Sequence, residues 1–517
     1  MMNRIFGQNT HTYLHIIGLS AIAFGLPWSK ALMSVGMMFI VLNLLLEADF
    51  KSYWNNIKSN KIFWLVAGLF LLKFIGMLWT ENTSDAIDSI KRELPFITIP
   101  TILVARPIKK AQQIDLILLA FMVMLLVTSI LNFGNYKQWF GPKEYDDIRG
   151  MSLFISHIRF GLLVSMGGAI CLYAIKRYRK ALLPIMLIFL WLAFYTIYSQ
   201  IISGVLTFSA VIGAYLIYQL WLTRKIFAQL FIIVCIGFAT AIAMWLFKPL
   251  KFDKSQYQNL PEFTAEGNEY EHNFKYLSSE TEEPVLTFLC ELELEREWEK
   301  RSDIGYHGTT ISGNPVSHTL IRYLASKGLH RDAVGIKGLT DQDIKEIEQG
   351  CTSVNHDGIM ARMHSIRFEL NNADDPNGHS LLQRLEYWKA GANIAKENWL
   401  IGVGTGDAQL AFDSYYRSTN SLLNEDHRRR AHNQFLTFLL TYGILGFLMF
   451  AILLVMFFRF NLKHEQLLGI LFIIISSLSF LIEDTLETQA GVTFFALFLG
   501  IFLSDQNESQ HPKKITD

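Results

Sequence analysis

The chain has 517 residues, 51% of them hydrophobic and only 18% charged, with a mean hydropathy of +0.26. Lys plus Arg and Asp plus Glu number 46 each, so no basic excess marks a nucleic-acid binder. The apolar residues come in long blocks, which argues against a soluble globule and for membrane spans.

About twelve spans of roughly 17–25 residues can be read. They lie near 13–28, 31–47, 62–80, 94–107, 114–133, 153–175, 182–201, 203–221, 226–247, 435–458, 467–483 and 489–504. The first block, Tyr13 to Trp28, is followed at once by a second, so no removable leader is expected. The seventh and eighth spans are nearly fused through Ser199, Gln200 and Ser203-Gly204. Lys73 falls inside the third, where a paired or snorkelling lysine is expected.

Lys/Arg bias in the short loops sets orientation. With the N-terminus cytoplasmic, the inner loops hold Lys51, Lys58 and Lys61; Arg106, Lys109 and Lys110; Lys176, Arg177, Arg179 and Lys180; Arg224 and Lys225; and Arg459 and Lys463. The outer short loops are poorer in them. Both termini are therefore expected inside, and the long segment outside. The expected organisation is a bundle over 1–247, a periplasmic loop over 248–433, and a last group of spans with a short cytoplasmic tail over 434–517. The fold class is all-α: a polytopic transmembrane helical bundle with a large, mainly helical loop.

In that loop, Glu291 to Lys300 (ELELEREWEK) reads as a solvated helix face. Ser380 to Trp399 (SLLQRLEYWKAGANIAKENW) places Leu381, Leu385, Trp388, Ala392 and Ala395 at helical spacing, an amphipathic helix started by Ser380. Gly402 to Asp407 (GVGTGD) follows a helix instead of opening one, so it reads as a turn and not as a dinucleotide site.

Candidate chemistry gathers at the outer boundary. Glu425 to Phe447 (EDHRRRAHNQFLTFLLTYGILGF) sets Arg428, Arg429, Arg430 and His432 against an apolar run. Guanidinium groups suit bidentate phosphate binding, and an imidazole relays protons near neutral pH. The cluster fits either a lipid-linked diphosphate or an interfacial anchor touching lipid head groups. Arg159 and His157 (ISHIRFGLL) enter a span near the same face, where ionisable groups are functional suspects. Glu483-Asp484 (FLIEDTLETQAG) lies at the outer turn between the last two spans, where acids can hold the arginines. No zinc or other metal motif is present in the sequence, and neither metal nor cofactor is expected.

The stretch HNQFLTFLLTYGILGF, preceded by RLEYWKAGANIAKENWLIGVGTGD and a long outer loop, resembles the O-antigen ligase/polymerase family. WTENTSD (Trp79 to Asp85), SHIRFG, TLIRYLASKGLHRDA (Thr319 to Ala333) and EDTLETQAG extend the resemblance over nearly the whole chain. It implies a GT-C-like glycosyltransferase of the bacterial inner membrane, active at the periplasmic face. Such an enzyme moves a glycan from undecaprenyl diphosphate to lipid A–core, inverting the anomeric carbon without a metal. The family's loop histidine falls on His432 and its loop arginine on Arg384. A further family arginine, usual between the seventh and eighth spans, is missing from SQIISG, and Arg159 or Arg428–Arg430 would have to replace it. An O-antigen polymerase or a protein O-oligosaccharyltransferase would share these features. A transporter fits less well, because the outer insert is long and no paired broken helices are seen.

Overall fold

The structure, a computed structural model, describes residues 7–141, 148–356, 358–372, 376–377 and 379–504, without the side chains of 149, 254 and 256. The chain's first six residues and its tail from 505, both expected inside, lie beyond them. A helix stands on each of the twelve apolar segments. In chain order these are α1 (Gln8–Gly25), α2 (Lys30–Glu47), then a short α3 (Phe50–Ser59), α4 (Lys61–Gly76), α5 (Thr83–Ala105), α6 (Ala111–Tyr136), α7 (His157–Arg177), α8 (Leu182–Tyr198), α9 (Ile202–Thr223) and α10 (Lys225–Phe247). The long segment holds β1 (Glu271–Leu277), β2 (Pro284–Leu289), α11 (Glu291–Trp298), α12 (Val316–Ser326), α13 (Ala333–Lys337), α14 (Asp341–Gln349), α15 (Gly358–Asn372), α16 (Ser380–Glu397) and α17 (Ala408–Ser418). The last three spans are α18 (Gln434–Lys463), α19 (Leu467–Ile482) and α20 (Gln489–Ser504).

Among the described residues, eight helices are long and apolar enough to cross a membrane, and α19 and α20 are apolar but shorter. The chain is thus a helical polytopic membrane protein, and among the described residues its one sheet is the β1–β2 pair. Two details differ from the expected spans. Helix α5 begins at Thr83, capped by Asn82 on the Asp85 amide, and runs through Pro95 and Pro100. Its polar first half hid it from a hydropathy reading. The expected inner loop at Lys51 and Lys58 contains α3, which leaves Phe50 and Trp54 exposed.

The described residues divide into two compact units: 7–141 with Ile148–Gln229 and 383–504, and those within Leu230–Leu382. The first has α7, α19 and α20 at its centre. Helix α7 buries every residue from Phe160 to Leu172, and α20 every residue from Ala490 to Ser504. Lys73 is fully buried and pairs with Glu93 of α5, while its ammonium also donates to the Tyr442 hydroxyl at 3.1 Å. A buried charge demands such a partner.

Above these helices in the same unit, α16, α17 and the start of α18 enclose a small core of Tyr387, Ala390, Ile394, Phe412, Tyr416 and Ala431. The buried face of α16 keeps Ala395 of the expected stripe and otherwise differs from it. Tyr387, Ala390, Gly391, Ile394 and Ala395 are inside, and Leu385 is 41% exposed. Small Ala390 and Gly391 let the helix approach Leu436 and Phe412, which the larger Leu385 and Trp388 would prevent. GVGTGD is a turn, as expected. Its Val403 and Gly404 amides donate to Leu440 and Thr441 carbonyls, where α18 breaks at Gly443 (φ 65°). A Cβ at Gly443 would meet the Leu400 carbonyl oxygen at 2.2 Å, so only glycine allows the interlock.

The second unit packs Val285, Leu294, Trp298, Leu320 and Ile347 around the β1–β2 pair. Here α11 corrects the solvated reading of ELELEREWEK, because Glu293, Leu294, Glu297 and Trp298 are buried. The Glu293 carboxylate accepts from Asn268 at 2.7 Å and from the Ala333 amide at 3.0 Å, which offsets its burial.

Candidate active site at the turn between the last two helices

Helix α19 has 16 residues, about 24 Å at 1.5 Å per residue, which is less than the ~30 Å of a bilayer's hydrocarbon. Glu483, Asp484 and Thr485, in the turn that follows it, are buried.

His432 is fastened onto this turn twice. Its Nδ1 lies 2.9 Å from Glu483 Oε1, and its backbone amide donates to Asp484 Oδ2 at 3.1 Å. Asp484 Oδ1 accepts from Thr437 at 2.7 Å, one turn into α18. Flanking contacts repeat the attachment: the Asn433 amide group donates to Leu481 O at 3.1 Å, and Gln434 Oε1 accepts from the Leu486 amide at 2.8 Å. His432 itself adopts φ 47°, a left-handed conformation. Such backbone costs roughly 1–3 kcal/mol, and the two acid contacts offset it. Buried Ala431 anchors the preceding residue in the small core.

Glu483 is also where the arginines meet. Arg384 Nη2 lies 3.5 Å from Oε2, and Arg384 Nη1 donates to the Ile482 carbonyl. Arg159 Nη2 lies 3.8 Å from Oε1. Burial pushes the Glu483 carboxyl up. The His432 hydrogen bond and the charges of Arg384 and Arg159 outweigh it, so the group is held below its ordinary value. Asp484 goes the other way, because burial dominates and raises it. A carboxylate at Glu483 can only accept, so it sets the tautomer of His432 with the proton on Nδ1 and leaves Nε2 as an acceptor.

The three consecutive arginines have different settings. Arg428 donates to Leu423 O at 3.1 Å and approaches Glu425 at 3.8 Å. Arg430 approaches Glu487 at 3.7 Å and Gln409 at 3.3 Å. Arg429 is exposed and forms no ion pair with a described residue, while its carbonyl accepts from Tyr416 at 2.8 Å. His157 is the first residue of α7 and half-buried.

Residue reading missed Tyr387 and Glu487. Tyr387 donates to His427 O at 2.6 Å and sets its ring 5.7 Å from the His432 ring. Its signal was available, since Tyr387 follows Arg384 by three positions on one helix face. Glu487 could be found only by knowing which way the turn folds. The arrangement supplies an oriented imidazole, two guanidinium groups beside it and a buried carboxylate joining them. It suits proton removal next to a bound anion.

A search of curated proteins found no match to the chain. Residues 352–451 match the sequence profile of a family described as O-antigen ligase. That stretch contains Arg384, Tyr387, Arg428–Arg430 and His432, so the segment that bears most of the site is similar to that family.

Proposed function

We propose that the protein is an O-antigen ligase that transfers a glycan from undecaprenyl diphosphate to lipid A–core, at the periplasmic face of the inner membrane. The observation that carries this reading is the convergence of His432, Arg384 and Arg159 on Glu483 at one end of a helical bundle. Support for the orientation is the Lys/Arg bias of the short loops.

In the proposed reaction His432 Nε2 accepts the proton of an acceptor sugar hydroxyl. The hydroxyl oxygen attacks the anomeric carbon as the bond from that carbon to the diphosphate oxygen breaks. One displacement inverts the centre, and the diphosphate leaves on the lipid. Arg384 and Arg159 offset its charge, which is the stabilisation that a metal would otherwise supply. Arg429 has a side chain free to reach a phosphate, whereas Arg428 and Arg430 serve first to hold the loop.

Reconstituted protein supplied with lipid-linked glycan and lipid A–core is the test. His432→Ala and Arg384→Ala should abolish transfer with membrane insertion intact, and wild-type transfer should survive EDTA. Full transfer by either variant refutes the site. A deletion strain should accumulate full-length chains on the carrier. Single capped units on core would instead identify a polymerase.

A further inference from the structure

The break in α18 at Gly443 frees backbone groups inside a segment apolar enough to cross a membrane. Lipid offers them no hydrogen bonds. The turn after α16 supplies the partners instead. The Val403 and Gly404 amides donate to the Leu440 and Thr441 carbonyls at 2.8 and 3.1 Å, and the Ile444 amide donates back to the Trp399 carbonyl at 2.8 Å. The Gly402 amide closes onto Asn398 O at 2.8 Å. On its other side the turn is bonded to α4: the Thr405 amide donates to Gly76 O at 3.4 Å and its hydroxyl to Lys73 O at 2.7 Å. The Gly406 amide donates to the Thr80 hydroxyl at 3.3 Å. Every amide from Gly402 to Gly406 thus has a partner within the protein, and Gly402, Gly404, Thr405 and Gly406 are buried. Irregular backbone at membrane depth is tolerated where protein groups satisfy it in this way.

The side chains that precede this buried backbone are apolar and face outward. Trp399, Leu400 and Ile401 are 57%, 59% and 57% exposed. They have exposed apolar neighbours on both helices that hold the turn: Leu78 and Trp79 just past α4, and Leu445 and Leu448 just past the break in α18. Those four belong to Lys61–Trp79 and Gln434–Lys463, two segments with the length and composition of membrane spans. The triplet therefore continues the lipid-facing surface of α4 and α18 at the level where the turn is bonded to both. Contiguous exposed apolar surface of this kind marks contact with a membrane or a partner. Polar groups resume at once on either side. Lys396 and Glu397 are exposed, and Asp407 accepts from the Glu81 and Asn82 amides, each at 2.8 Å.

We propose that the Trp399–Ile401 turn is immersed in the membrane, with its three side chains among the acyl chains just below the head groups. The partner is the bilayer itself. Lipid is favoured over a second copy of this chain because the triplet extends a surface that lipid already covers. Trp399 suits the boundary, where an indole has both apolar and polar surroundings. The segment taken from the sequence as loop thereby gains a membrane contact outside the twelve spans. Helix α16 runs about 20 Å from Arg384 to Glu397, so the immersed turn anchors the end of the helix opposite Arg384 and Tyr387. Immersion does not depend on what the enzyme transfers.

The test uses the full chain in nanodiscs. Leu400→Cys carries an environment-sensitive fluorophore, with Cys235→Ser and Cys351→Ser removing the thiols that are not buried. Glu425→Cys, where the native side chain is 92% exposed, is the water-facing control. Leu448→Cys on α18 is the lipid-facing one. The label at 400 should be quenched by phospholipid spin-labelled near the head of its acyl chain, as at 448, and shielded from iodide, unlike at 425. Iodide quenching equal to that at 425 overturns the proposal. Shielding from iodide and spin-labelled lipid alike also overturns it, and would leave a second copy of the chain as the cover. Tryptophan emission gives a second reading with all four cysteines in place. Trp399→Phe should lower the fraction of emission quenched by brominated lipid and leave the iodide-quenched fraction unchanged, and the reverse pattern overturns the proposal.

Discussion

Glu483→Gln isolates the contribution of one negative charge at nearly constant volume. In the proposed reaction His432 becomes an imidazolium 2.9 Å from Glu483 Oε1. Hydrogen bonds to charged partners contribute about 1.5–3 kcal/mol, against about 0.5–1.5 for neutral ones. The lost difference of roughly 1–1.5 kcal/mol corresponds to about a tenfold fall in kcat. Tautomer adds to this. An amide has one acceptor, yet His432 and Arg159 face Oε1 while Arg384 faces Oε2. If the amide nitrogen turns toward Nδ1, the imidazole proton moves to Nε2 and the base is lost, an error that costs serine proteases about 10⁴ in turnover. The expected fall is therefore at least about tenfold, with donor KM no higher, because the two arginines lose a competing anion. The assay is glycan transfer by reconstituted protein at varied donor concentration. Wild-type kcat in Glu483→Gln refutes this account of the site.

Lys73→Met should destabilise the protein by about 3–5 kcal/mol by stranding buried Glu93, and adding Glu93→Leu should recover most of it, read as melting temperature in detergent. Gly443→Ala should cost about 1–3 kcal/mol from its positive φ alone and should expose the Trp399–Gly404 turn to protease, because the new Cβ meets the Leu400 carbonyl. Burial raises Asp484, so between its ordinary 3.8 and about 6 the folded protein holds a proton that the unfolded chain has released. Its contribution to stability is full below that window and is lost as pH rises through it. Asp484→Asn should remove that part of the slope in a melting-temperature profile over the same range.

The parts of the fold set by solvent were legible in the residues. Apolar blocks located the spans because backbone in lipid must satisfy itself within a helix. His432 and the acids at 483–484 stood out because charge beside an apolar run is costly and needs a reason, whereas Arg384 was marked only by the family resemblance. What escaped were features decided by neighbours. The stripe on α16 pointed to Leu385 and Trp388, but the partner surface at Leu436 and Phe412 selected the smaller residues opposite. Helix α5 was cut short because a polar half looks like loop until Glu93 is seen against Lys73. In EDHRRRAHNQFL the three arginines looked equivalent. Glu425 stands three residues before Arg428, a spacing the sequence offers, but the approach of Arg430 to Glu487 depends on a turn far along the chain.

The placement of Glu483 resolves a physical conflict in such a site. In the proposed reaction Arg384 and Arg159 share one diphosphate, and without an anion between them they would repel each other in a poorly solvated place. A carboxylate between them permits the approach, but an exposed carboxylate would also repel the substrate. Glu483 is 5% exposed, follows directly on α19, and is engaged with His432 on one oxygen. Its charge is therefore spent on holding the cations and polarising the imidazole, and it is withdrawn from the surface where phosphate would bind. Two guanidinium groups against one carboxylate still leave a net positive charge to attract a diphosphate. Lengthening α19 by one turn would lift Glu483 by about 5.4 Å, which would separate it from His432 and Arg384 together. The apolar length of the span and the chemistry at its end are a single constraint.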